Sequence, residues 1–315
     1  MSIGNPALKR ICIYGVGGVG GYFGGIIAYR LKELRDTNHE VYFIARGSHL
    51  QEISKKGLTL HLYPHGTLIC KPARAAEKLD ELPYMDIIIL CVKGYDLEEA
   101  IKNISVRIKE DTVVIPLLNG VDIYERIRSS LHKGIVLPGC TYISSAVEGP
   151  GVISLKGEKT LIVFGRDPQN AHYDQASILN LFTLVGIDYT WLDDVFPAIW
   201  SKYVFIASFA LVTGYSGKTI GEVMADTKLR GLVKGIMEEI VQIAKAKGIV
   251  IKESVIEQSL ELAINIPFDT KTSFQRDLEK KKEKTEGEIL GATILRLAKE
   301  CGINPSVTEQ VFRYI

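Results

Sequence analysis

Short, continuous apolar runs mark the first half of the chain, and each ends abruptly. Ile11-Cys-Ile-Tyr14 stops at Gly15, and Glu40-Val-Tyr-Phe-Ile-Ala45 stops at Arg46-Gly47. Asp86-Ile-Ile-Ile-Leu-Cys-Val92 stops at Lys93, and Asp111-Thr-Val-Val-Ile-Pro116 runs into Leu117-Leu-Asn-Gly120. Runs that do not alternate predict parallel strands covered on both faces. Leu58-Thr-Leu-His-Leu62 does alternate and reads as a strand of an inserted hairpin. Ile135–Val147 and Val152–Leu155, joined through Glu148-Gly-Pro-Gly151, read as an antiparallel hairpin, and Leu161–Phe164 closes this half. Helical segments separate the strands, which makes the first half α/β with a doubly wound sheet. Near Asp193 the pattern changes to a helical period. Leu229, Leu232, Val233, Ile236, Met237, Ile240, Ile243 and Ala244 keep that spacing up to Gly248, a C-terminal stop. Ile289–Lys299 is a further helix, and Ser306-Val-Thr-Glu309 has the spacing of a capping box opening a last one. The expected division is an α/β domain over 1–192 and an all-α domain over 193–315.

The junction after the first run carries the strongest chemical signal. Gly15-Val16-Gly17-Gly18-Val19-Gly20 follows a strand and precedes a helix-compatible stretch from Tyr22 to Leu34. A dinucleotide-binding turn needs this order. The first glycine allows the sharp turn, the second lets backbone approach a pyrophosphate, and the third lets helix and strand close up. The anion would rest on free N–H groups at the helix start.

Composition narrows the function. The chain has 315 residues, 46% of them hydrophobic, and a formal net charge of +1, so neither nucleic acid nor an anionic membrane is an expected partner. Cysteines 12, 70, 91, 140 and 301 are scattered without a CxxC pair, as for reduced thiols in the cytoplasm. No signal peptide is expected, because no long apolar segment precedes the first strand. The longest apolar run, Tyr203–Val212, is shorter than a membrane span and reads as a buried helix. His61 and His65 are four apart, but Pro64 breaks the helix that would align them, so no metal is expected.

Ligands of doubly wound sheets bind beyond the carboxyl ends of the strands, which singles out the residues after each run. Arg46 follows the second strand, where an arginine either suits the 2′-phosphate of NADP or is an ordinary surface arginine, and the position favours the former. Lys93 and Asn119 follow later strands. Each either faces the nicotinamide end of a cofactor or is a solvated lysine and a turn asparagine. Lys202 is the one charge in the apolar stretch Ala198–Val212. It is either a functional amine or a lysine snorkelling from the first turn of that helix.

The order and spacing of Gly15–Gly20, Ala45-Arg-Gly-Ser-His-Leu50, Val92-Lys-Gly-Tyr95, Leu118-Asn-Gly120, Trp200-Ser-Lys202 and Thr285-Glu286 resemble the ketopantoate reductase family over essentially the whole chain. The resemblance implies an N-terminal Rossmann domain and a helical C-terminal domain of the 6-phosphogluconate dehydrogenase type. It implies NADPH-dependent reduction of 2-ketopantoate to pantoate, on the way to pantothenate and coenzyme A. It places the family's active-site lysine on Lys202 and a catalytic, cofactor-contacting glutamate on Glu286. Asn119 and Lys93 fall on positions that contact both cofactor and substrate, and Ser273 falls on a substrate-binding serine. The implied partner is a small 2-keto acid, and a homodimer stays open. Ile206 and Ala210 depart from the family, which usually has asparagines there, and this leaves the identity of the keto acid open. Competing readings are a reductase of a different 2-keto acid and a family member that binds NADPH without turnover.

Overall fold

The computed structural model describes residues 8–315, which fall into two compact units. One consists of residues through Leu118 together with Ile123–Val195, and the other of Asn119–Asp122 with Phe196–Ile315. The first alternates strand and helix from its start: β1 (Lys9–Tyr14), α1 (Gly18–Glu33), β2 (His39–Ile44), α2 (Gly47–Lys56), β3 (Leu58–Leu62), β4 (Gly66–Cys70), β5 (Arg74–Ala76), β6 (Ile87–Leu90), α3 (Leu97–Ser105), β7 (Val113–Pro116) and α4 (Ile123–Arg128). It continues through β8 (Ile135–Val136), β9 (Gly139–Tyr142), β10 (Ser145–Gly149), β11 (Val152–Leu155), β12 (Leu161–Gly165), α5 (Ala176–Val185) and β13 (Tyr189–Leu192).

The continuous apolar runs form the centre of a six-stranded sheet ordered β5-β2-β1-β6-β7-β8, in which every pairing is parallel. Ile11, Ile13, Ile88, Ile89 and Ile115 are fully buried there, as strands covered on both faces require. The chain leaves β1 towards β2 on one side and resumes at β6 on the other. The switch point therefore lies between the carboxyl ends of β1 and β6, beside Gly15 and Val92.

Helix α1 is glycine-rich because it is squeezed between two sheets. A Cβ at Gly24 would come within 2.6 Å of Ile13 and 3.1 Å of Phe43 in the parallel sheet. On another side of the helix, a Cβ at Gly21 would meet Ile153 of β11 at 2.6 Å. That strand belongs to a second sheet, β10-β11-β3-β4, in which β3 and β4 form the expected hairpin. The stretch expected as one long hairpin strand, Ile135–Val147, is instead divided among three sheets as β8, β9 and β10. Pro138, which has no N–H to give a ladder, stands between β8 and β9. Only β10 and β11 make the antiparallel pair. The half does not close at β12 either, since α5 and β13 follow and β13 pairs parallel with β12.

No strand follows Leu192 among the described residues. The second unit contains α6 (Phe196–Ser216), α7 (Ile220–Ala225), α8 (Thr227–Ala246), α9 (Val255–Ile264), α10 (Ser273–Glu279), a π-helical turn over Glu288–Ala292, α11 (Thr293–Cys301) and α12 (Ser306–Phe312). Helix α6 is 21 residues long with a mean hydropathy of 1.4, enough by length and composition to cross a bilayer. Most of that stretch is buried within the protein, and α6 packs along α8, as the core helix of a globular unit does. The expected stop of α8 is in place: Gly248 has a φ of +76°, just past the C-terminal Lys247. The start of α12 differs from expectation. Ser306 makes no capping bond, and Pro305 holds the cap position. The free N–H groups of Val307 and Thr308 donate instead to the buried carboxylate of Glu239 on α8, at 2.7 and 3.0 Å, and the Thr308 hydroxyl adds a bond of 2.6 Å. An anion from a neighbouring helix does the work of the local cap.

Candidate active site

The glycine turn at the switch point is shaped by contact. Gly15 has a φ of +97°, and a Cβ there would lie 3.0 Å from the Cys91 carbonyl group. A Cβ at Gly20 would overlap the Gly15 carbonyl oxygen, so this glycine is what lets α1 begin directly over β1. Gly17 is different, because a Cβ there would meet nothing within 4 Å. Its openness leaves room for a ligand rather than for the fold. Gly17 caps α1 without a side-chain bond, and the first turn holds no acidic residue, so the leading N–H groups and the helix dipole are left for an anion. These features fit the pyrophosphate of a dinucleotide.

A cavity of about 600 Å³ continues from this turn. It runs from Gly15 and Val16 past Ala45 and Arg46 at the end of β2, and past Val92 and Asp96 after β6. Its size and its place beyond the strand ends suit the adenosine half of a nicotinamide coenzyme. Arg46 occupies the cap position of α2, and its Nη2 donates to Asp96 Oδ2 at 3.2 Å. Tyr14 lines the floor, where its hydroxyl accepts from Asn103 Nδ2 at 3.2 Å. Burial raises its pKa above the ordinary tyrosine value against the opposing pull of that hydrogen bond, so it is a neutral phenol. His49 lines the same cavity, and its Nδ1 accepts the Gly151 N–H at 2.9 Å. That bond puts the proton of the neutral ring on Nε2, and burial lowers the ring's pKa, which keeps it neutral.

Asp96, Asn103, Tyr14 and His49 were not among the candidates read from sequence. His49 lies in the Ala45–Leu50 motif, but nothing local tells its partner, which is 102 residues away.

In the helical unit the structure brings two candidates together. Lys202 Nζ donates to Asn119 Oδ1 at 2.9 Å across 83 residues of sequence. A lysine has no acceptor, so this bond fixes the amide: the oxygen faces Lys202, and Nδ2, a donor, faces away. Asn119 itself belongs to a short excursion of the chain, Asn119–Asp122, that clusters with the helices. The excursion is pinned at its far end, where Asp122 Oδ2 accepts from Arg296 Nη2 of α11 at 2.5 Å. The Asp122 side chain is only 8% exposed and its Oδ1 has no partner among the described residues, so Arg296 supplies its compensating charge.

The remaining candidates are placed as follows. Lys93 follows β6, half-buried, ahead of the 3₁₀ turn Gly94–Asp96. Glu286 is buried just before the π-helical turn. Ser273 is the exposed first residue of α10. It is Thr272, one residue earlier, that reaches α6, through a 2.8 Å hydroxyl contact with Thr213. Along the face of α6 that carries Lys202, Ile206 is half-buried and Ala210 buried. Ser208 is off that face by its spacing and is fully buried.

Comparison with known proteins identifies the family. Residues 11–169 match the family model for ketopantoate reductase PanE/ApbA, and residues 194–315 match the model for its C-terminal domain. An uncharacterized oxidoreductase of Bacillus subtilis, YkpB, is 26% identical over 303 residues, covering 96% of each chain. A 2-dehydropantoate 2-reductase of Streptococcus pyogenes is 28% identical over 305 residues, covering 93% of this chain and 92% of that one. Among solved structures, a PanE/ApbA family ketopantoate reductase from Ralstonia eutropha superimposes with a TM-score of 0.86 at 24% identity, covering 97% and 96%. D-mandelate dehydrogenase with NADH and anilino(oxo)acetate superimposes with a TM-score of 0.85 at 20% identity, covering 97% of each chain.

Proposed function

The chain belongs to the ketopantoate reductase family, and from that premise we propose that it is an NADPH-dependent reductase of 2-keto acids whose substrate is 2-dehydropantoate. The hydrogen bond between Lys202 and Asn119 carries this reading. A protein that only binds a coenzyme has no use for a lysine held in place by a half-buried loop amide.

The residues divide the work. Gly15–Gly20 would hold the pyrophosphate, and Arg46 the 2′-phosphate of NADPH. Lys93, Asn119 and Glu286 would contact both coenzyme and substrate. When bound, the reduced nicotinamide supplies a hydride to the C2 carbonyl carbon of the keto acid. Lys202 gives the carbonyl oxygen one proton from Nζ, so that C=O becomes C–OH and the ammonium becomes an amine, which takes a proton back from water. Asn119 Oδ1 aims Nζ, and Nδ2 is left to donate to the substrate. Ser273 would bind the carboxylate, and Glu286 would orient the substrate hydroxyl. A proton donor aimed in this way contributes about 10²–10⁴-fold to a rate.

The side chains Ile206 and Ala210 favour one second reading, a 2-keto acid with a more apolar tail than 2-dehydropantoate. Steady-state NADPH oxidation with 2-dehydropantoate, 2-ketoisovalerate and phenylpyruvate separates the two. The highest kcat/KM is expected with 2-dehydropantoate. A higher value for an apolar keto acid would transfer the assignment. Coenzyme binding with no turnover of any keto acid would replace it with a non-catalytic role.

A further inference from the structure

The arginine assigned to the 2′-phosphate is already engaged by Asp96. Asp96 stands at the cap position of α3, where an aspartate ordinarily accepts a hydrogen bond from the first turn of its own helix. Its side chain makes no such bond. It reaches instead across the cavity rim to Arg46, fifty residues away. Of the two, Asp96 is the fixed partner: its side chain is 21% exposed and that of Arg46 is 58% exposed. The surroundings do not compensate. The cavity is lined by four carboxylates (Glu77, Asp80, Asp96, Glu99) against three cations (Arg46, Lys78, Arg107), an unusual balance for a site that would receive a phosphate dianion.

We propose that Asp96 is a coenzyme-selectivity residue that holds Arg46 and must release it before a 2′-phosphate can be bound, which lowers the preference for NADPH over NADH. The inference rests on Arg46 being the 2′-phosphate ligand. A coenzyme with a 2′-hydroxyl leaves the Arg46–Asp96 pair intact. A 2′-phosphate must draw the exposed guanidinium away and sit near the carboxylate left behind.

Fluorescence titration of NADPH and NADH against the full-length wild type, Asp96→Asn, Arg46→Ala and the double variant tests this. Asp96→Asn should tighten NADPH by about three- to tenfold, the scale of a partly exposed ion pair, and leave NADH within about twofold. In the Arg46→Ala background the same change should have no selective effect. Asp96→Ser, which removes the same charge with a smaller side chain, should agree with Asp96→Asn if charge is the cause. If Arg46→Ala selectively weakens NADPH while Asp96→Asn leaves the NADPH/NADH ratio unchanged, Arg46 keeps its role and Asp96 loses its own. If Arg46→Ala weakens both coenzymes equally, the assignment of Arg46 fails and this inference falls with it. A gain for NADPH that persists without Arg46, or equal weakening of both coenzymes by Asp96→Asn, also overturns the proposal.

Discussion

In the α/β unit the glycine turn offers main chain, and in the helical unit the Lys202–Asn119 pair offers side chains. The turn from Gly15 to Gly20 works by leaving atoms out. Gly20 has no room for a Cβ against the Gly15 carbonyl, and Gly17 leaves the N–H groups of α1 open. All of its parts lie within six residues. Lys202 and Asn119 work by adding atoms, and they meet from 83 residues apart. A backbone site is rigid because its geometry is that of the sheet itself. A side-chain site depends on whatever holds each partner, here helix α6 for one and the Asp122–Arg296 pair for the other. The first kind should fail by unfolding or by losing its ligand, and the second by losing rate.

The largest effect should come from the side-chain half. Lys202→Ala is expected to lower kcat by about 10²–10⁴-fold in stopped-flow NADPH oxidation, the range for a lost proton donor. The coenzyme Kd should stay within about twofold, because Lys202 belongs to the helical unit and the glycine turn to the other. Lys202→Arg should not restore the rate, since a guanidinium does not release its proton in this range. An unchanged chemical step in the Ala variant would erase the distinction between the two halves.

Gly20→Ala attacks the backbone half and should fail in the opposite way. The new methyl overlaps a carbonyl oxygen that cannot step aside, so a stability loss of at least about 3 kcal/mol is expected, the upper end for overpacking. Urea unfolding should show the loss, and coenzyme titration should show weakened binding of NADPH and NADH together. A stable variant with normal affinity would mean that the turn is less tightly built than its geometry implies.

The smallest effect should sharpen the comparison. Arg296→Gln removes the charge that pins Asp122, and with it the far end of the segment carrying Asn119. A drop in kcat of about three- to tenfold is expected, from roughly 1 kcal/mol of lost positioning. KM for NADPH should not move. A KM effect without a kcat effect would show that the segment serves binding rather than proton transfer.

Local features were the legible ones. Strand, tight turn and helix follow one another at Gly15, so the pattern of residues is the structure. The isoleucine and valine runs could hardly be anything but central strands, and Gly248 ends α8 for reasons visible in one residue. Features that depend on a distant partner were not legible. Nothing near Ser306 says that Glu239, on another helix, will cap α12 in its place. Pro138 marks where Ile135–Val147 breaks, yet the stretch reads as one strand, and nothing local says that its pieces join three sheets. Lys202 stood out as a lone charge in an apolar helix, and Asn119 as a residue following a strand. That they share a hydrogen bond follows only from the folded chain. Asp96 was hidden more deeply, because an aspartate at a helix start ordinarily has a local explanation.

The excursion Asn119–Asp122 also bears on how this chain is made. A ribosome finishes the parallel sheet long before it reaches α11. At about 5–20 residues per second, the 174 residues from Asp122 to Arg296 take roughly 9–35 s to emerge. Throughout that interval the loop after β7 leaves the nascent sheet without Arg296 to receive it, although Lys202 emerges before the interval is half over. The glycine turn can be complete while the hydrogen bond between Lys202 and Asn119 does not yet exist. On the roles proposed above, the newborn protein would bind coenzyme first and gain its reductive chemistry last, when its final helices reach a loop that has been waiting for them.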